Sequence, residues 1–347
     1  MEENDVVFVV GNPGRTSRLT TMAQLEYDRD VNVPAVVNAL DERLQAMRAF
    51  YEADPVTGEK LGLRNRAFSL SNSLKAYSGR LDALRDPVVM AIRGDIERKF
   101  LAAVDADPDL KARFGDVVQE IADIQQQKRE LGPRHAAFLL LGSSRGSSVT
   151  LTRATLAAEW LAARSAHAPR DTVDAIRTRL LAVGDQPRAL EQALLAARLA
   201  DLRRNLGPDE ELTRVALAGA TPDAAAAALL DASVFADSAR TANALSKNTV
   251  PDDDPALRIA RVLLPLYADY SVRYAALSAR ERNLAAALGR ARFAIYGTAM
   301  PPDGSSSPRI TDGLVLPYHY NGTEAPVYTT FYGVYDRFHS FGPNSEW

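Results

Sequence analysis

The segment SLSNSLKAYSGRL, Ser69 to Leu81, places Asn72, Lys75 and Gly79 at i, i+3 and i+7, one stripe of a helix. An uncharged amide beside a lysine and a glycine makes a face that is polar yet open to close approach. The competing reading of the same residues is a solvated face with a small residue for helix packing. A second candidate opens the chain. VVFVVGNPGRTSRLTT, Val6 to Thr21, reads as a buried strand running into a Gly-Pro-Gly turn. A strand, a glycine-rich turn and a helix N-terminus could aim backbone N–H groups at a phosphate. The Walker spacing needs four residues between its glycines and then Lys with Ser or Thr, whereas only Asn12 and Pro13 separate Gly11 from Gly14. Pro13 has no N–H to give, and the dinucleotide fingerprint needs a third glycine. A tight turn with Pro at its second position and Gly at its fourth fits every residue.

The remaining candidates are weaker. None of the four histidines, His135, His167, His319 and His339, has an H-E-x-x-H partner or a Cys/His cluster, so no metal site is expected. His319, in PYHYNGT, sits among aromatics on a predicted strand and reads as packed or surface. GSSRGSS, Gly142 to Ser148, reads as a flexible loop between two helices. Asp252 to Asp254, in VPDDDPAL, read as caps of the helix that follows and not as an acid/base pair.

The chain that must position these residues has 347 residues, with 41 basic and 44 acidic side chains and a net charge of -3. That balance gives no electrostatic footprint for nucleic acid or an anionic membrane. The absence of cysteine removes disulfides and cysteine-ligated metal. No apolar run approaches the roughly 20 residues of a membrane span. MEENDVVFVV carries acid where a signal peptide would have its basic region. An opening in mid-strand and a close at GPNSEW suggest a piece of a longer protein.

Three textures follow one another, and the fold class expected is mainly α. Residues 1–32 hold the opening strand, its turn and an extended stretch ending DVNVP. Residues 33–292 read as helical almost throughout, with breaks at Asp86-Pro87, Asp107-Pro108, Gly132-Pro133, Gln186-Pro187, Gly207-Pro208 and Asp254-Pro255. PAVVNALDERLQAMRAFYEAD sets Val37, Leu40, Leu44, Met47 and Phe50 on one stripe. The run from Ala256 to Gly297 is the most apolar, and Pro265 is expected to kink or split it. The breaks share no period, so a repeat array is unsupported. In residues 293–347, RITDGLVLPYHYNGTEAPVYTTFYGVYDRF reads as strands and turns.

Taken in order, GNPGRTSRLTT…QLEYDRDVNVP, NSLKAYSG and YGTAMPPD…SPRITDGLVLPYHYNGTEAPVYTTFYGVYDR resemble the bacterial serine dipeptidyl peptidases of the dipeptidyl-peptidase 7 and 11 type. The resemblance spans essentially the whole chain, and its first and last blocks are the specific ones. It implies a large helical lid inserted into a chymotrypsin-like double β-barrel. Residues 1–32 would end the first barrel, 33–292 would form the lid, and 293–347 would start the second barrel. The activity implied is removal of dipeptides from oligopeptides with a free N-terminus, in the periplasm or at the cell surface, without metal or cofactor. A homodimer of the full-length enzyme is compatible with it.

In that family the catalytic histidine and aspartate precede the Gly-Pro-Gly turn, and the serine follows the Tyr/Thr-rich strands. No catalytic residue therefore carries over, and the chain alone is expected to be inactive. The turn becomes the exit from the first barrel instead of a nucleotide site. Asn72 does carry over: it matches the family's lid-helix pattern of Asn, two residues, Lys, three residues, Gly. The resemblance implies that this asparagine helps hold the substrate's free α-amino group, for which an amide oxygen is a suitable acceptor. The alternative function is a non-catalytic helical scaffold that binds a peptide or protein partner.

Overall fold

The structure is a computed structural model. It describes the chain except for residues 15, 140–147, 248, 301–302, 305, 321, 329 and 343–347. Most of GSSRGSS falls outside the described residues. The chain divides into two compact units, one built from Met1–Leu19 with Thr298–Trp347 and the other from Thr20–Gly297. The fold is mainly α.

In the smaller unit, β1 (Val6–Gly11) pairs antiparallel with β2 (Arg309–Leu314), Val6 opposite Leu314 and Gly11 opposite Arg309. β3 (Tyr318–Tyr320) and β4 (Thr323–Ala325) form a second antiparallel pair. The opening strand thus forms as expected, but it is exposed, with Phe8 at 67%. An isolated two-stranded pair has no second layer to cover its apolar face.

The larger unit is helical from Met22 onward. Its first helices are α1 (Met22–Tyr27), α2 (Val33–Ala53), α3 (Pro55–Lys60), α4 (Leu63–Arg85) and α5 (Pro87–Ala106). α6 (Pro108–Phe114), α7 (Val117–Glu130), α8 (Gly132–Phe138), α9 (Val149–Ser165) and α10 (Arg170–Leu181) follow. α11 (Arg188–Leu206), α12 (Glu211–Leu217), α13 (Pro222–Ala232), α14 (Ser238–Lys247) and the 42-residue α15 (Pro255–Tyr296) complete it. In the smaller unit, α16 (Phe331–Phe341) closes the series.

Two stretches differ from the sequence reading. The segment expected to be extended up to DVNVP is α1 followed by a π-helix over Asp28–Asn32. Thr21 caps α1 and exchanges hydrogen bonds with Gln24, so the helix starts where a capping box permits. Phe331–Phe341, expected as strand, is helical because its aromatics recur at helical spacing behind a Thr330 cap. Pro265 lies inside α15 without dividing it; it leaves only the Arg261 carbonyl without its helical donor.

The Asp-Pro breaks work as helix starts. Asp86 accepts from Val88 N at 2.8 Å, and Asp107 accepts from Asp109 N at 2.9 Å and Leu110 N at 3.1 Å. Asp254 does the same for Ala256 N at 2.9 Å and also takes Ser233 Oγ at 3.0 Å and Val234 N at 2.8 Å. Proline at the first helical position loses no bond that the helix would have made. The main apolar core joins α9, α11, α12, α13 and α15 around Leu195, Leu199, Phe235 and Leu257. A smaller one joins α1, α2, α4 and α5 through Leu25, Val33, Leu81, Leu84 and Met90. Of the α2 stripe, Leu40, Leu44, Met47 and Phe50 are buried.

Arg153 stands fully buried in the main core and donates to Val183 O, Phe235 O and Asp185. A guanidinium reaches several acceptors in fixed directions that one ammonium cannot match. Arg153→Lys is therefore expected to lower stability by about 2–3 kcal/mol in urea denaturation, since it orphans buried carbonyls. A change below about half a kcal/mol would mean that water or a neighbour replaces the lost donors.

Candidate functional site

α4 carries two opposed stripes. Leu63, Ala67, Leu70, Leu74, Tyr77, Leu81 and Leu84 recur at i, i+4 and i+7, and all are buried or half-buried. The opposite face holds Phe68, Asn72, Lys75 and Gly79, all exposed. The helix and the exposure of Asn72, Lys75 and Gly79 on one face are as the spacing predicts. The packing explanation for Gly79 fails: a Cβ built there meets no atom within 4 Å among the described residues. A mid-helix glycine costs about 1 kcal/mol against alanine, and no close helix contact among the described residues offsets it.

The residues that follow the Gly-Pro-Gly turn close on Asp303 and Gly304. Asp303 accepts from the Thr16 hydroxyl at 2.7 Å and from Arg18 N at 2.8 Å. Gly304 N donates to Thr16 Oγ1 at 2.8 Å and Ser306 N to Pro13 O at 3.1 Å. A side chain on Gly304 would collide with the Gly14 carbonyl, so this position requires glycine. The donors of Thr16 and Arg18, just after the turn, are therefore taken by the chain's own carboxylate.

Of the other candidates, His319 is exposed on β3, His339 is exposed on α16, and His167 is exposed after α9. Asp254 is the helix cap expected of it. Gly142, Ser144 and Gly146 have the G-x-S-x-G spacing but lie outside the described residues. That elbow needs a strand ahead of its serine, whereas the element before it is α8. Ser148, at the loop's end, caps α9 through Leu151 N and gives its hydroxyl to Glu191 at 2.6 Å.

His135 was not singled out by the sequence. It is buried on α8, and its ring stacks on Tyr274 with centroids 4.9 Å apart. Asn32 donates to Asp28 Oδ1 at 2.8 Å, which fixes the amide so that its oxygen faces His135 Nε2 at 3.0 Å. Nε2 must then carry the proton, and Nδ1 accepts from the Tyr270 hydroxyl at 2.8 Å. Burial, with the Lys128 ammonium nearby, pushes the imidazole down to about 4. Lys128 is itself buried and paired with Glu281, which also accepts from Gln24 and from Gln125 at 2.8 Å. Burial works against the charge on Glu281, but these donors hold it below the ordinary carboxylate range. Tyr267, Tyr270 and Tyr274, at i, i+3 and i+7 of one helix, are the sequence signal that could have marked this centre.

The peptidase S46 family matches residues 1–347. The chain belongs to that family. It is 28% identical over 140 residues to the dipeptidyl-peptidase 7 of Capnocytophaga gingivalis, an overlap of 40% of this chain and 19% of that protein. A crystal structure of Porphyromonas endodontalis DPP11 superposes with a TM-score of 0.73 at 18% identity, covering 99% of this chain and 50% of that one. The same protein in complex with the dipeptide Arg-Glu gives 0.74 at 18% identity, again with 99% and 50% coverage. At that identity the likeness shows the fold alone. The chain spans about half the length of these structural relatives. The S46 match bears out the dipeptidyl-peptidase 7 and 11 resemblance.

Two outcomes follow from the geometry. The folded pKa of His135 lies below the unfolded value, so below pH 6.5 the unfolded chain takes up a proton that the folded chain refuses. Stability is expected to fall by up to about 1.4 kcal/mol per pH unit from pH 6.5 to 5, and His135→Gln should remove this slope. An unchanged slope in that variant would place the titration elsewhere. Gly79→Ala is expected to stabilise the chain by about 0.5–1 kcal/mol in thermal unfolding, because the space for a methyl is empty. Destabilisation would show that the face is packed in solution.

Proposed function

We propose that this chain is the helical lid and N-terminus-sensing segment of a serine dipeptidyl peptidase that releases dipeptides from oligopeptides. The observation that carries the reading is the peptidase S46 match over residues 1–347. In the complete enzyme a serine activated by histidine would attack the scissile carbonyl, with backbone N–H groups stabilising the oxyanion. Those residues are assigned to parts of the enzyme other than this chain, and Thr20–Gly297 is assigned to the lid. The substrates are oligopeptides with a free N-terminus, and the setting is the periplasm or the cell surface. The full-length enzyme is compatible with a homodimer.

Within this reading Asn72 accepts from the substrate's α-ammonium. Its exposure and the open space over Gly79 support the role, because a peptide backbone can approach a helix face most closely beside a glycine. An acceptor at a fixed distance from the serine would let the enzyme count two residues inward.

The test is Asn72→Ala in the complete enzyme. A hydrogen bond to a charged group contributes about 1.5–3 kcal/mol, so kcat/KM on free-amine dipeptidyl substrates should fall roughly ten- to a hundredfold. An N-acetylated substrate should be poor with the wild type and no worse with the variant. Folding should be unaffected, while Leu81→Ala, on the buried stripe, should lose about 2–5 kcal/mol of stability instead. Full activity of Asn72→Ala on free-amine substrates would remove the residue from this role.

A further inference from the structure

The π-helix Asp28–Asn32 turns three of its four polar side chains to three different helices. Asp28 pairs with Arg80 of α4, Asp30 with Arg129 of α7 at 3.0 Å, and Asn32 with His135 of α8. Because Asn32 also donates to Asp28, the contacts join into one line. It runs from Tyr270 through His135, Asn32 and Asp28 to Arg80, the residue after Gly79. Single-turn π segments inserted beside α-helices mark places where a fold keeps an unusual geometry for a purpose. Here the geometry aligns an amide between an imidazole and a carboxylate.

We propose that this line is a proton-responsive tether on α4: neutral His135 holds Asn32 and Asp28 in place beneath Arg80, and protonation of His135 releases the C-terminal half of the helix. Protonated, Nδ1 carries a hydrogen and no longer accepts from Tyr270. The new charge would sit in a pocket whose facing groups cannot compensate it. Tyr27 of α1 and Tyr270 and Tyr274 of α15 surround the ring, and burial raises the hydroxyls of Tyr27 and Tyr270 above their ordinary range, keeping them neutral. Lys128 of α7 is a like charge, and its partner Glu281 is already committed to Lys128, Gln24 and Gln125. Asp30 is taken by Arg29 and Arg129, and Arg134 by Asp269 at 2.7 Å. The facing hydroxyls carry no charge and the facing carboxylate is committed, so the imidazolium leaves the pocket for water and Asn32 loses its donor. Asp28 then holds Arg80 without the amide that oriented it. The consequence for substrate rests on the reading of Asn72: a loosened α4 would bind the ammonium less tightly in acid.

Amide hydrogen exchange on the 347-residue chain, with the His135 ring followed by NMR, tests the tether. Protection factors of residues 77–85 are expected to drop about three- to tenfold between pH 6.5 and 3.5, in step with His135, while those of α9 and α11 hold. His135→Gln keeps a donor toward Asn32 and cannot be protonated, so its profile should be flat. Unchanged protection of α4 while His135 titrates would overturn the proposal. So would the same drop in His135→Gln, or a loss shared equally by all helices. If His135→Gln does not fold, Asp28→Asn serves: α4 should start less protected at pH 7 and show no acid step, and a normal step would overturn the tether. In the complete enzyme, KM for free-amine substrates should rise in acid for the wild type and not for His135→Gln. Failure of that arm alone, with the exchange step present, would count against the Asn72 reading and leave the tether standing.

Discussion

The helical unit is organised around the buried ammonium of Lys128 and the half-buried carboxylate that meets it. Glu281 takes the Lys128 ammonium and the side-chain amides of Gln24 and Gln125, and so ties α1 and α7 to α15. A 42-residue helix with an apolar stripe could slide by a turn of about 5.4 Å against its neighbours and still bury leucine on leucine. A charge that must be met inside the protein does not tolerate such a slip. Removing one partner of a buried pair costs about 3–5 kcal/mol, because the other charge is left uncompensated. The pair thus sets register more than it adds net stability.

With α1 held, the chain that follows it is held too. The capping box of Thr21 and Gln24 starts α1, and Gln24 spends its amide on Glu281 while its oxygen accepts from Thr21 N at 2.9 Å. The π-helix continues without a break into α2, and α4 folds back along α2 with its leucine stripe. The outward face of α4 is what remains after these constraints are met. Its orientation is therefore set by groups far from it in sequence, and the line through Asn32 and Asp28 is the polar part of that control.

The sequence was most legible where a local rule decides the structure. Asp86, Asp107 and Asp254 ahead of prolines announce helix starts, and Leu40, Leu44, Met47 and Phe50 announce a buried stripe. The helical stripe through Asn72, Lys75 and Gly79 needed only the 3.6-residue period. DVNVP misled because its valines favour strand, while the capping pair before it and the helices around it decide otherwise. FYGVYDRFHSF misled for the same reason, its aromatic content outweighing its spacing in the reading. The centre at His135 was illegible because its partners are remote: Asn32 lies 103 residues away and Tyr270 lies 135 away. No window along the chain contains both.

Gly79 shows where local rules stop being informative about stability and begin to inform about use. Much of α4 agrees with a stable helix: a leucine stripe inward, an outward face polar apart from Phe68, Arg85 in the last turn. A glycine with empty space over its Cα breaks that agreement with no compensating contact among the described residues. Breaks of this kind are expected where a fold meets another molecule. On the proposed reading, Asn72, two turns before it on the same face, meets a donor small enough to reach a helix surface, next to a segment with no bulk. The proposed α-ammonium followed by an extended peptide would meet both conditions.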